Sequence, residues 1–504
     1  MYILTKNEMQ AAEARAVARG VSMKELMRLA GEALARLVLQ KAEPRGKRVL
    51  VLVGSGNNGG DGFVCARMLH AQGALVTLAL VQGGVKSSLA GQAFLTVPEE
   101  VPVLYTPEDA ADEAAESDII VDAVFGFGFR GVPDQRLSAL FEAVNALHKP
   151  VFSADIPSGA ECDTGCVHGA CIRATYTAAF SALKPTHVSY PAKEHCGEVL
   201  VCPAGLLENE LRLESGSFSL PDANTVKNSL PARDPQGNKG TFGKLLCLCG
   251  SVGMAGAAMM AVQGALRCGV GLVYAAVPRE LYPVMAAALP QAVFLPLDVQ
   301  PNGDLTEESR GLLAEMVKKM DACLVGCGLG TGAEDSLRTV LQNAACPVVL
   351  DADGLNMAAK NPALLRERAC PLAVTPHPGE MARLLGRSIA AVQAERIGAA
   401  TAFARRYDAV TVLKGAGTVV VSEDGVSVNT TGNAGMAKGG SGDVLAGMLA
   451  SFAAQGMPLS RAAVAAVYLH GLAGDLCEKE LTQYAMQPTD LIARLPEAFR
   501  AIGV

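Results

Sequence analysis

No apolar run in this 504-residue chain approaches the roughly 18–20 residues that a membrane-crossing helix needs, although half of its residues are hydrophobic. Residues 1–10 are polar and lack the apolar stretch of about 7–15 residues that marks a secretory signal, so a soluble, cytoplasmic protein is expected. Lysine and arginine are interspersed among acids at a net charge of −7. That leaves no basic stripe for nucleic acid and points to small-molecule partners. None of the 14 cysteines falls in a CxxC pair. Most read as reduced thiols inside apolar segments, as Cys247 and Cys249 do. Cys162, Cys166 and Cys171 lie near His168 at a spacing too irregular for a structural zinc site. No GxxxxGK[ST] occurs, which excludes a P-loop enzyme, and no repeat of fixed period is visible.

What is present is an alternation. Short apolar runs ending in Gly, Asp or Pro alternate with Ala- and Leu-rich helical patterns, the mark of parallel βαβ units. Strands are expected at 48–53, 75–81, 119–121 and 151–154, with helices at 24–39 and 62–71. Between 203 and 240 the periodicity gives way to polar, Pro- and Gly-bearing sequence, a boundary. Strands then resume at 244–249, 322–325, 347–350, 372–374, 410–413 and 418–421, with a helix from Ser441. The length suits two domains. The pattern predicts an α/β protein in which open parallel sheets are covered on both faces, with domains at 1–212 and 222–502.

Two clusters carry chemistry. After the first strand, Gly54, Gly56 and Gly59 spell GxGxxG, but the acid that a dinucleotide-binding fold places at the end of the second strand is missing, since 75–81 ends in Gln82 and Gly83. The side chains of Asn57, Asn58 and Asp61 exceed what a plain pyrophosphate turn requires. Asp122 and Asp155 end two further strands, and Ser158 follows. Carboxyl ends of parallel strands converge on one crevice, so Asn58, Asp122, Asp155 and Ser158 can share a site. Taken singly, each acid reads first as a turn or helix cap, but three polar strand ends together favour a shared site.

NNGGDG, DAVFGFGFRG and ADIPSG, flanked by KELMRLAG (24–31) and by Lys184-Pro185, resemble the NAD(P)H-hydrate epimerases over residues 1–210. The resemblance implies a Rossmann-like three-layer αβα domain. It implies that Asn57, Asn58, Gly59, Gly60 and Asp61 hold substrate together with the loop Gly126, Phe127, Gly128, Phe129, Arg130, Gly131 and Val132. Asp155 would then be the acid/base, and Asn58, Asp122 and Ser158 would ligate potassium, a hard cation suited to oxygen donors.

The second cluster is the run from Thr430 to Asp443, TTGNAGMAKGGSGD, opening a helix. Consecutive Gly and Ser turn backbone N–H groups inward at a helix N-terminus, which suits a transferring phosphate, and Asp443 can take a proton from an incoming hydroxyl. Lys414, Gly415, Ala416, Gly417 and Thr418 form a tight loop between strands. His377, Asp351 and Asp353 lie at other strand ends, open to ligand-contact or turn-capping roles.

In order, GSVGMAGAA, GCGLG, DADGLN, TPHPGE, LKGAGT and GNAGMAKGGSGD are similar to the ADP- or ATP-dependent NAD(P)H-hydrate dehydratases, of ribokinase-like αβα fold, over residues 222–500. The similarity implies that Lys414 to Thr418 and Gly442 contact the adenine nucleotide. Ala257, Gly328, Gly330, His377 and Asp443 would contact the hydrate. Magnesium would accompany the nucleotide, with ADP favoured over ATP, and a homo-oligomer is expected. Together the halves imply epimerisation of hydrated NADH and NADPH followed by nucleotide-dependent dehydration. The competing reading is a ribokinase-like vitamin-precursor kinase fused to a non-catalytic binding module.

Overall fold

The computed structural model describes residues 2–212 and 218–504. They form two compact units, Met1–Ser219 and Leu220–Val504. No helix among the described residues is long and apolar enough to cross a membrane.

The first unit is built on strands β1 (Arg48–Val53), β2 (Leu75–Leu80), β3 (Val103–Leu104), β4 (Ile119–Ala123), β5 (Val151–Ala154), β6 (Tyr176–Phe180) and β7 (Glu198–Cys202), in the order β3-β2-β1-β4-β5-β6-β7. All neighbouring pairs are parallel. Strand periodicity sorts β1 between two cores. Val49, Val51 and Val53 pack on one face with Leu34, Val38 and Phe63, while Leu50 and Leu52 pack on the other with Leu140 and Phe141. Each such side chain contributes about 1.5–3 kcal/mol on burial. The strand order reverses between β1 and β4, where a parallel sheet opens its crevice.

Two expectations are corrected here. Asp122 lies within β4, paired in register with Leu52 and Ser153, rather than beyond its end. The helix expected from residue 62 begins at Asn57 and runs to Ala71, so the Asn-Gly tract is its first turns and not a loop. Packing explains why. A Cβ on Gly59 would sit 2.1 Å from the Gly54 carbonyl oxygen, and one on Gly62 would sit 2.7 Å from Val53 Cγ1. The helix presses directly onto the strand that feeds it, and only glycine allows the approach.

The second sheet comprises β8 (Phe218–Ser219) at its edge, then β9 (Lys244–Leu248), β10 (Leu272–Pro278), β11 (Val293–Leu297), β12 (Ala322–Val325), β13 (Val348–Leu350), β14 (Leu372–Val374), β15 (Val410–Leu413), β16 (Val419–Ser422) and β17 (Gly425–Val428). Their order is β11-β10-β9-β12-β13-β14-β15-β16-β17-β8. Strands β11 to β15 are parallel as expected. The expectation of a wholly parallel sheet fails at one edge, where β15-β16-β17 are antiparallel. The links 414–418 and 423–424 are too short for a crossover helix and allow only hairpins. The apolar helix Ser441–Ala454 begins at the expected residue and packs on the helix Ala255–Arg267.

Candidate functional site

The first unit holds a cavity of about 590 Å³ at its strand-order reversal. Asn57, Asn58 and Asp61 reach it from the first turns of their helix, Gly126 to Arg130 from the loop after β4, and Asp155 from the end of β5. Gly59 and Gly60 are buried in helix packing, and neither they nor Gly131 and Val132 line the cavity; Val132 is largely exposed. Phe125 stacks on Phe129 at 4.4 Å, stiffening the loop.

Asp155 is buried at a positive φ of 63°. This strained conformation is held from several sides. Its Oδ1 accepts from the Phe180 amide at 3.1 Å and from the fully buried Lys184 ammonium. Its carbonyl accepts from His187 Nε2 at 2.7 Å, while His187 Nδ1 accepts from the Lys184 amide at 2.9 Å. Burial first, and the Lys184 charge second, push His187 down to about 4, so the ring is neutral and serves as a strut. Glu13 and Asp61 also line the cavity. Burial raises both, and the Asp155 charge raises them further.

Asp122 and Ser158 are fully buried and neither lines this cavity. Asp122 Oδ2 accepts from the Ser153 hydroxyl at 2.8 Å and the Ser158 amide at 2.9 Å, and Oδ1 accepts from the Ser158 hydroxyl. These donors are all neutral. Burial raises the Asp122 pKa, and the hydrogen bonds oppose that rise. The Asn58 amide nitrogen is buried with no acceptor. Turned by 180°, that amide would offer its oxygen instead. Oxygen donors beside an uncompensated carboxylate fit a monovalent cation.

In the second unit, Asp443 occupies the first turn of the helix Ser441–Ala454, whose N-cap Gly440 has φ 105°. A Cβ on Gly442 would lie 3.1 Å from Lys414 Nζ, so the hairpin loop 414–418 and the glycine-rich turn meet. Lys414 pairs with the buried Asp351 at 2.7 Å. Burial opposes its charge, but Asp351 and Glu380 outweigh that and raise its pKa. Cys327 Sγ and carboxylate oxygens of Asp351 and Asp443 lie within 4.8 Å of one another. Burial, and then the Asp351 charge, push Asp443 up to about 6. The Ser441 hydroxyl is buried with no partner.

Ala257, in the first turn of the helix Ala255–Arg267, meets the loop that carries Gly328 and Gly330. A Cβ on Gly328 would lie 2.9 Å from that of Ala257, and the Gly330 amide donates to Asp353 at 2.8 Å. His377 caps the helix Pro378–Leu385, with Nδ1 accepting from the Gly379 amide at 3.0 Å, and its side chain is half exposed. Gly415 and Gly417 both have positive φ, and the buried Arg396 donates to the Leu413 and Lys414 carbonyls.

A family model described as NAD(P)H-hydrate dehydratase matches residues 245–497, and one described as YjeF-related protein N-terminus matches residues 23–186. A bifunctional NAD(P)H-hydrate repair enzyme from Moorella thermoacetica is 36% identical over 475 residues, covering 90% of this chain and 88% of its own. One from Escherichia coli K12 is 36% identical over 486 residues, covering 94% and 89%. The chain belongs to the bifunctional NAD(P)H-hydrate repair enzymes. A ribokinase-like superfamily protein from Enterococcus faecalis V583, 25% identical, matches the fold at a TM-score of 0.50, covering 58% of this chain and 98% of that one.

Within this family member, residue patterns missed several site groups. Lys184 was visible only as a motif flank, Cys327 and Glu380 only as members of the GCGLG and TPHPGE motifs, and Glu13 and His187 carried no signal. Each comes from an element remote in sequence from the acid it serves, so only packing brings it there.

Proposed function

We propose that the chain repairs hydrated NADH and NADPH in the cytoplasm, with epimerisation in 1–212 and nucleotide-dependent dehydration in 222–502. The carrying observation is the junction of Lys414, the partnerless Ser441 hydroxyl and Asp443 at one glycine-rich helix start. A helix N-terminus, an ammonium and a free hydroxyl together suit a transferring phosphoryl group.

In the second unit, Lys414 and the turn at Gly442 hold the terminal phosphate of ADP, favoured over ATP, while loop 414–418 receives the rest of the nucleotide. Ala257, Gly328, Gly330 and His377 place the hydrate so that its hydroxyl faces Asp443. Asp443 takes the hydroxyl proton as the oxygen attacks phosphorus and AMP departs; phosphate then leaves from carbon, the adjacent carbon gives up a proton to solvent, and NAD(P)H and inorganic phosphate result. Magnesium bound with the nucleotide would neutralise phosphate charge. In the first unit, Asn57, Asn58, Asp61 and loop residues 126–130 hold the nicotinamide hydrate beside Asp155, which moves protons while the hydroxyl-bearing carbon inverts. Lys184 keeps that carboxylate oriented. Asn58, Asp122 and Ser158 would hold potassium, whose charge offsets the buried Asp122.

Mixed R and S hydrates supplied with ADP or ATP, with and without potassium, test this by recovery of nicotinamide absorbance. Asp155→Ala should stop epimer interconversion and leave dehydration of the S hydrate intact. A stable phospho-alcohol in place of inorganic phosphate would favour the vitamin-precursor kinase and sink this reading.

A further inference from the structure

Outside both sites, residues 160–168 fold into a short hairpin whose register brings three different donor side chains together. Ala160 pairs with Val167 in an antiparallel bridge, and the Glu161 amide donates to the Cys166 carbonyl at 3.0 Å. That register sets Glu161 opposite Cys166, and directly opposed side chains share a face. Strand alternation returns His168 to the face of Cys166. The outcome is that a Glu161 carboxylate oxygen, Cys166 Sγ and a His168 ring nitrogen all lie within 4.8 Å of one another. His168 Nε2 is 3.7 Å from Glu161 Oε1.

The turn is built to hold this arrangement. Gly165 sits at φ 66°, and its amide donates to the Glu161 carbonyl at 3.1 Å. The Thr164 hydroxyl donates to Glu161 Oε2 at 3.0 Å, and the Gly131 amide donates to Oε1 at 3.0 Å. A carboxylate has about four acceptor positions, so both oxygens keep capacity for a cation. Cys166 is buried while about a third of the His168 side chain is exposed, leaving the cluster open to solvent on the histidine side.

We propose that Glu161, Cys166 and His168 form a binding site for a borderline divalent cation of the Zn²⁺ class, with water as a fourth ligand. Thiolate and imidazole donors select such ions over the hard oxygen-seeking K⁺ and Mg²⁺. On binding, the Cys166 S–H bond breaks, a sulfur–metal bond forms and the proton passes to solvent. Thr164 acts from behind, orienting the carboxylate. Glu161 also receives Gly131, at the end of the loop that borders the first cavity, so the ion and that loop share one carboxylate.

The test is a Co²⁺ titration of the full-length chain after chelator treatment, a binding readout that stands whether or not the hydrate-repair reading holds. The expected result is a thiolate-to-cobalt charge-transfer band with the strong visible absorption of four-coordinate cobalt, displaced by Zn²⁺ and unaffected by excess Mg²⁺. Cys166→Ser and His168→Ala should each abolish the band, and the exposed His168 makes the second a substitution the fold tolerates. Thr164→Ala should weaken binding by about 10- to 100-fold. Cys162→Ser and Cys171→Ser should leave the band unchanged. A six-coordinate spectrum without the sulfur band, or a band that persists in Cys166→Ser, overturns the proposal.

Discussion

Replacing Asp443 by Asn should lower turnover in the second unit while making that unit more stable at neutral pH, and the two effects share one cause. Burial and the nearby Asp351 hold the Asp443 carboxyl at about 6, against an ordinary aspartate near 3.9. The gap of about 2 pH units corresponds to about 3 kcal/mol, an upper figure because part of the side chain meets solvent. The folded state keeps the proton that the unfolded chain has already lost between about pH 4 and 6. Stability therefore falls as pH rises through that window, and above about 6 the full cost is present. Asparagine cannot ionise and escapes that cost. Relative to wild type, Asp443→Asn should gain up to about 3 kcal/mol at pH 8, and the gain should vanish near pH 4. Turnover should drop by about 10² to 10⁴, the usual share of one positioned base. In the unaltered chain, kcat/KM for dehydration should rise through about pH 6 and level off above pH 7, because the base works only when ionised. Thermal unfolding at pH 5 and 8, with stopped assays for inorganic phosphate, reads both effects. A variant that turns over normally, or whose stability advantage does not grow with pH, refutes the reasoning.

Three further outcomes follow from the geometry. Lys184→Met leaves the buried Asp155 without its cation and should cost about 3–5 kcal/mol, a fall of about 6–20 °C in the melting temperature of the first unit; an unchanged Tm would show that the pair is not needed to hold the fold. Gly59→Ala forces a Cβ to within 2.1 Å of a carbonyl oxygen and should destabilise by about 1–3 kcal/mol, seen as a lower urea midpoint at constant m value. Cys327→Ala removes a thiol that holds the Asp443 pKa down and should shift the acid limb of the dehydration profile to higher pH, with a coincident profile counting against that contact.

Much of the fold was legible in local pattern because short-range physics writes it. Buried parallel strands are continuous apolar runs, and β1, β12 and β15 appear at their expected residues. The glycine-rich opening of the helix at Ser441 was equally plain, since chain reversal at φ 105° leaves a compositional trace. Weaker signals were lost at the edges. Strand β11, partly exposed and interrupted by Pro296, has neither a clean alternation nor an unbroken apolar run. The tract at Asn57 misled for a related reason, as glycine serves both open loops and close helix-strand contacts, and nothing local distinguishes them.

The sequence by itself determined that two α/β units exist, that Asp155 follows a strand and Asp443 opens a helix, and that a glycine-rich turn precedes the second. Only the tertiary structure decided which charges surround each acid. It set Lys184 against Asp155 across 29 residues and Lys414 against Asp351 across 63, and it brought Cys327 beside Asp443. The reason is physical: propensity and periodicity act over a few residues, whereas a carboxylate's charge state depends on burial and on neighbours within a few ångströms, which the chain supplies from anywhere along its length.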